Sequence, residues 1–131
     1  MIVVDASVLA NVIADDGADG RRARAEVRRV GRLAAPDLVD VETVAVLRKR
    51  WLAGTIADSR FAAAIGDLEQ LALTRYPTLP LMRRAFELRS NVTAYDASYV
   101  ALAEFLSCEL LTGDARLANA PGPKCPIRLL N

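Results

Sequence analysis

The chain opens on Ile2-Val3-Val4, a β-branched run with no polar alternation, and the run halts at Asp5. A strand with one wet face alternates apolar and polar residues, whereas a strand that is apolar at every position is covered on both faces. Sheets covered on both faces are mainly parallel, because their crossover connections lay helices on each side. Further short strand signals at residues 33–35, 73–76, 109–112 and 127–130 alternate with helical patterns, which predicts an α/β domain around a mainly parallel sheet. The 131 residues fit one such domain, spanning 1–131, and the Pro121-Gly122-Pro123 stretch reads as a loop within it.

The helices have legible starts and stops. Ser7 is the expected cap of a first helix through Val8, Leu9, Val12 and Ile13, and an Arg-rich helix follows over 19–32. Asp37 is the expected cap of a helix carrying Val41, Val44, Leu47 and Leu52, which Gly54 stops. Thr55 or Asp58 caps a helix over 56–72, and Pro80 occupies the first turn of one reaching Arg89. Thr93-Ala94-Tyr95-Asp96 has the form of a capping box ahead of a long apolar helix, and a short helix spans 115–120.

Composition matters most through an absence. The chain has no histidine, which removes Ser-His-Asp triads, Cys-His pairs, paired-histidine RNA cleavage and His-bearing zinc sites together. Acid–base or metal chemistry must then run on carboxylates. Apolar residues make up 53% of the chain, enough for a real core. Lys and Arg total 17 against 16 Asp and Glu, and that balance decides nothing about a polyanionic partner. Cys108 and Cys125 are too few for a disulfide framework and are expected as free thiols. No secretory leader and no membrane span is expected, and a cytoplasmic setting is the default.

In an open parallel sheet, ligands bind at the carboxyl ends of the strands. Asp5 directly follows the first strand, and Asp114 follows the 109–112 strand by one glycine. Glu42 lies early in the helix after residues 33–35, and Asp96 lies in the first turn of its helix. Taken singly, Asp96 reads as a capping-box acid, Glu42 as a first-turn acid and Asp114 as a cap. Asp5 resists that reading, since an acid ending a buried strand sits in a costly place. Asp15, Asp16, Asp58, Asp67 and Glu69 are expected to cap helices or face solvent. Two carboxylates about 4 Å apart repel by roughly 4 kcal/mol at an effective dielectric of about 20. A cluster of them persists with raised pKa values or with a hard cation such as Mg²⁺ or Mn²⁺, and phosphodiester hydrolysis is the reaction such a site serves best.

At these residues the chain resembles the PIN-domain ribonucleases, and within them the toxins of VapC type. Met1-Ile2-Val3-Val4-Asp5-Ala6-Ser7 resembles the family's opening strand and first acid, and Val41-Glu42-Thr43-Val44-Ala45-Val46-Leu47-Arg48 the helix bearing the second. The segment from Thr93 through Asp96 to Glu104 is the most specific, and Leu110-Leu111-Thr112-Gly113-Asp114-Ala115-Arg116-Leu117 resembles the fourth. The resemblance implies a three-layer α/β/α sandwich with a five-stranded parallel sheet and Mg²⁺- or Mn²⁺-dependent RNA cleavage. It gives Asp5, Asp96 and Asp114 to the metal, and Glu42 to the metal or to the attacking water. Ser7 and Thr112 match supporting hydroxyl positions, and Asn91 a polar position near the substrate. A homodimer and inhibition by a small antitoxin protein are further implied. The region from Val44 through Trp51, Leu52, Ile56, Phe61 and Ile65 supplies apolar surface for either contact or for ordinary core packing, with Trp51 the best candidate for an exposed anchor.

Arg21, Arg24, Arg28 and Arg32 recur at helical spacing with Arg22 and Arg29 beside them, and this face or Arg48-Lys49-Arg50 carries RNA phosphates or is simply solvated. Arg116 is the best single phosphate contact. Three rival readings remain. A phospho-receiver domain shares the acidic, Mg²⁺-binding edge but would have an acid pair after the first strand, where this chain has Asp5 alone. A phosphatase with an aspartyl nucleophile would want Asp-x-Asp where Asp5-Ala6-Ser7 stands, and a non-catalytic RNA- or protein-binding module would tolerate neutral residues at all four acids.

Overall fold

The computed structural model describes all 131 residues. Five parallel strands, β1 (Ile2–Val4), β2 (Leu33–Pro36), β3 (Leu73–Tyr76), β4 (Leu110–Thr112) and β5 (Ile127–Leu129), form one sheet in the order β3-β2-β1-β4-β5. Around it run α1 (Ala6–Ala14), α2 (Ala18–Val30), α3 (Val39–Leu52), α4 (Asp58–Gln70), α5 (Met82–Glu87), α6 (Ala94–Leu106) and α7 (Ala115–Ala118). This is the predicted α/β/α sandwich with an all-parallel sheet.

Strand order and crossover handedness together give the layers. The chain steps from β1 to β2 to β3 in one direction, so right-handed crossovers put α1, α2, α3 and α4 on one face. It then crosses back from β3 to β4, which puts α5 and α6 on the other. The contacts agree: α1 packs on α2, α3 and α4, while α6 packs on α5, β1, β2 and β4. The chain reverses its direction of winding between β1 and β4, and the carboxyl ends of those two strands open the crevice where α/β folds bind ligands.

β1 is buried at every residue, as its composition requires, and β2 and β4 likewise. Such strands stabilise the sheet by about 1.5–3 kcal/mol per fully buried Val, Leu or Ile. α6 is buried continuously from Ala97 to Ala103, the sign of a helix covered all round by sheet and neighbours. The thiols of Cys108 and Cys125 are free, and burial lifts Cys125 to about 11. No helix is long and apolar enough to cross a membrane.

Some expected caps fall elsewhere. Asp5, and not Ser7, caps α1: its carboxylate accepts from Val8 N at 3.2 Å, and Ser7 lies inside the helix. Asp37 does not cap α3, whose cap position is Leu38, without a side-chain bond. The Asp37 carboxylate instead accepts the Thr78 hydroxyl at 2.6 Å, because β3 returns beside it and supplies a long-range donor. α4 starts after Ala57 without the side-chain cap expected of Thr55 or Asp58, since Asp58 Oδ1 accepts from Trp51 Nε1 at 2.5 Å. The segment at Pro80 is a 3-10 turn (Leu79–Leu81) feeding the shorter α5.

The junction of α1 and α2 is unusually tight. Arg24 donates to the carbonyls of Val12 at 3.2 Å and Asp15 at 2.8 Å, closing the open end of α1. Gly20 lies so close beneath that a Cβ there would stand 1.7 Å from the Asp15 carbonyl oxygen. Gly66 in α4, by contrast, has nothing within 4 Å of such a Cβ. Gly66→Ala should therefore stabilise the protein by about 0.5–1 kcal/mol through helix propensity. Gly20→Ala should reverse the sign and cost about 1–3 kcal/mol by overpacking, as read from urea midpoints of the two variants; equal shifts would show the junction is loose.

Candidate active site

Asp5 ends the central strand and is only 5% exposed. A buried carboxylate needs its lone pairs met. Ser7 Oγ donates to Asp5 Oδ1 at 2.5 Å, Val8 N donates to the same oxygen, and the Thr112 hydroxyl donates to Oδ2. Ser7 Oγ in turn accepts from Gly113 N at 3.0 Å, and Thr112 Oγ1 accepts from Asp114 N at 3.0 Å. One carboxylate thus ties β1 and α1 to the end of β4 through two hydroxyls. Burial nevertheless pushes its pKa up, against the opposing pull of those donors.

The other acids arrive by separate routes. Glu42 stands in the first turn of α3, and its Oε1 accepts the Tyr99 hydroxyl at 2.8 Å. Asp96 stands in the first turn of α6, where Thr93 Oγ1 accepts its backbone N–H at 3.2 Å, the predicted cap. Asp114 caps α7, accepting from Arg116 N at 2.8 Å, and the Arg116 side chain approaches it to 3.7 Å. Burial is the main cause raising the pKa of Glu42, with the charges of Asp96 and Asp5 adding to it. Burial also raises Asp96 most, followed by the charges of Asp5 and Asp114. The four acids therefore share one edge of the sheet and feel one another. They do not stand as a ready cage, for no group of three acidic or cysteine side chains is disposed to hold a metal ion. Asp5 in particular turns both oxygens to hydroxyl donors.

A divalent ion still fits the donor set. Every available ligand is a hard oxygen, and Mg²⁺ is usually held by one or two carboxylates with several waters and substrate phosphates, not by an all-protein cage. Burial of Asp5, Glu42 and Asp96, with repulsion from neighbouring acids added at Glu42 and Asp96, is the cost that a cation would relieve.

A recess of ≈ 210 Å³ lies beside Asp96 and Asp114 and is lined also by Asn91, Thr93 and Arg116. Asn91 and Arg116 thus border the same recess as two of the four acids. The arginines of α2 are largely engaged in structure: Arg22 pairs with Asp19, Arg29 with Glu26, and Arg24 closes α1. Tyr99 escaped notice because it sits in an apolar helix and is 1% exposed, a core residue by every sequence signal. Only its hydroxyl, meeting Glu42 from another element, gives it a place at the site.

Residues 2–123 match the family model described as PIN domain. The chain belongs to the PIN-domain family. Ribonuclease VapC9 of Mycobacterium tuberculosis is 41% identical over 130 residues, covering 99% of this chain and 98% of that protein. Ribonuclease VapC1 of the same organism is 42% identical over 129 residues, covering 98% and 96%. Among solved structures, M. tuberculosis VapC20, described as a sarcin-ricin loop cleaving toxin, matches with a TM-score of 0.67 over 89% of this chain and 92% of that one, at 16% identity, and speaks for the fold alone. This PIN-domain chain is of VapC type, and the phospho-receiver reading falls with that assignment.

The raised acids fix the sign of a pH effect. A carboxyl whose native pKa exceeds its ordinary 3.8 or 4.5 binds protons that the unfolded chain has released, so its share of instability disappears as pH falls through the native value. Glu26, held down to about 2 chiefly by Arg29, acts in the opposite sense, but below its ordinary 4.5. In chelator, Tm should therefore rise as pH is lowered from neutral toward the ordinary carboxylate range. Asp96→Asn should raise the neutral-pH Tm and flatten that rise; a flat wild-type profile would show that the acids do not strain the fold.

Proposed function

We propose that this chain is a metal-dependent ribonuclease of endo-acting type, the toxin of a toxin–antitoxin pair, working at Asp5, Glu42, Asp96 and Asp114. The reading is supported chiefly by acids from four distant segments lying around the carboxyl edge of the β1/β4 crevice: burial raises Asp5, Glu42 and Asp96, the charges of Asp96 and Asp5 add to it at Glu42, and those of Asp5 and Asp114 at Asp96. Such an arrangement is poor for stability and good for cation binding. The names of the VapC relatives support RNA as the substrate.

In this reading Asp5, Asp96 and Asp114 hold Mg²⁺ or Mn²⁺, and Glu42 shares the ion or orients the attacking water. When bound, the ion polarises a phosphate, lowers the pKa of a water and stabilises the leaving oxygen. The protein does the positioning. Ser7 and Thr112 fix the Asp5 carboxylate by donating to both of its oxygens. Tyr99 holds one oxygen of Glu42, which sets the direction of the other. Asn91 and Arg116 flank the recess at Asp96, where a phosphate of the substrate would lie. Arg116 is 94% exposed at its side chain, free to swing onto such a phosphate.

The VapC resemblance also supports a small antitoxin protein as partner and a homodimer as assembly. The apolar groove of α3 and α4, lined by Val44, Trp51, Phe61 and Ile65, offers surface for a protein contact. Trp51 is 41% exposed there, half-covered by its bond to Asp58 and its packing on Phe61.

RNA cleavage assayed with Mg²⁺, Mn²⁺ or chelator tests the reading. Cleavage should need the ion, and Asp96→Asn should reduce it by about 100-fold or more. Cleavage in chelator, or an active Asp96→Asn, would end it. Arg116→Glu should raise KM for RNA more than Arg22→Glu, because Asp19 already neutralises Arg22; equal effects would remove Arg116 from the substrate path.

A further inference from the structure

A second recess, of ≈ 320 Å³, is lined by Ser7, Asn11, Asp19, Arg22, Arg50 and Gly113 among others. The β4–α7 turn contributes to both recesses, Gly113 to this one and Asp114 to the first. Gly113 carries no side chain to bar passage between them, and a Cβ there would stand 3.1 Å from Ser7 Oγ. One face of α1 lines this recess: Ser7 and Asn11 are four residues apart, about 6 Å along the axis. Ser7 touches Asp5. Asn11 Oδ1 accepts from Arg50 Nη2 at 2.6 Å.

The two arginines of this recess differ in kind. Arg22 is paired with Asp19. Arg50 meets a neutral amide, which fixes the guanidinium without cancelling its charge. It is half-buried in the last turn of α3, where the helix dipole also favours a cation. A guanidinium kept oriented and unneutralised beside a hydrolytic site is built for an external anion, and its fork suits phosphate.

We propose that Arg50, oriented by Asn11, binds a non-scissile phosphate of single-stranded RNA on the flank of the acidic edge opposite Arg116, so that the strand crosses the site over Gly113. The proposal rests on the ribonuclease reading and adds a second anchor to it. It also assigns Asn11 as a positioning residue, acting through Arg50.

Binding of a labelled single-stranded RNA oligonucleotide, titrated with salt in chelator on the Asp96→Asn background, tests it without cleavage. Arg50→Gln should flatten the slope of log K against log salt by about 0.7, the share of one phosphate contact. Asn11→Asp, which keeps an acceptor for Arg50 but cancels its charge, should do the same, and covers the case in which Arg50→Gln loosens the α1–α3 packing. Arg83→Gln, on exposed α5 outside both recesses, removes the same charge and should leave the slope unchanged. In the otherwise wild-type chain, Arg50→Gln should raise KM about tenfold with kcat within about twofold. Unchanged slopes in both variants, with wild-type cleavage intact, overturn the proposal. So does retained RNA binding with lost inhibition by a partner protein, which would give the recess to a protein ligand. Absent cleavage in the wild type, or full activity of Asp96→Asn, would instead defeat the ribonuclease reading, and the salt slope would still decide the RNA contact.

Discussion

The buried Asp5 carboxylate, held by Ser7, Val8 N and Thr112, is the interaction on which the rest of the site depends. It lies at the exit of the central strand, where burial makes a charge expensive and an unpaired oxygen more so. Its partners come from the following helix and from the neighbouring strand's end, so satisfying it also sets the separation of the β1 and β4 termini. Thr112 passes the constraint on, because the same hydroxyl accepts from Asp114 N and so orients the turn that carries the next acid. A hydrophobic residue at position 5 would suit the sheet better and would leave two hydroxyls and a turn without purpose.

The remaining acids show how a fold tolerates repulsion. Glu42 and Asp96 both stand in the first turns of helices, where the positive end of the helix dipole offsets part of the cost of gathering negative charge. Asp114 caps its helix by direct hydrogen bonding. Parallel α/β topology makes this a single arrangement, since strand ends and helix beginnings lie at the same edge. The acids can therefore come from segments distant in sequence and still meet with little added strain in the backbone. Burial nonetheless raises three of them, so gathering charge at this edge retains a cost that the helix dipoles do not remove.

Most of the architecture was legible because it rests on local periodicity. The apolar β1, the alternation of strands with helices and the Thr93 cap all carry their signal within a few residues. The four acids were legible as candidates for the same reason, as each follows a strand or begins a helix. What escaped depended on contacts between segments far apart. Asp37 looks like a cap until Thr78, from the return of β3, takes its carboxylate. Ser7 looks like a cap until Asp5, two residues earlier, proves to be the cap, with a carboxylate that Ser7 supports. Tyr99 looks like core because its ring is core, and its function resides in a single oxygen 57 residues from its partner. The disposition of the acids as separate flanks, and not a closed cage, was also beyond a pattern of spacings, because it depends on rotamers chosen by Ser7, Thr112 and Tyr99.

The net charge of this chain says little about its surface because its charges are paired unevenly. Seventeen basic residues against sixteen acidic ones would suggest a neutral surface. The pairing is segregated, however. Arg22, Arg29, Arg60, Arg75, Arg84 and Arg128 are matched to nearby carboxylates, and Arg24 is spent on backbone carbonyls. The acids of the crevice share few of these partners, and Arg116 approaches only Asp114. Negative charge is therefore concentrated at one edge, and the cations left without a carboxylate count for more than their number suggests. A polyanion could approach such an edge only where a cation stood ready on its rim. In the proposed reading Arg116 and Arg50 would be those cations for opposite reasons, the first exposed beside Asp114, the second held still by the neutral Asn11.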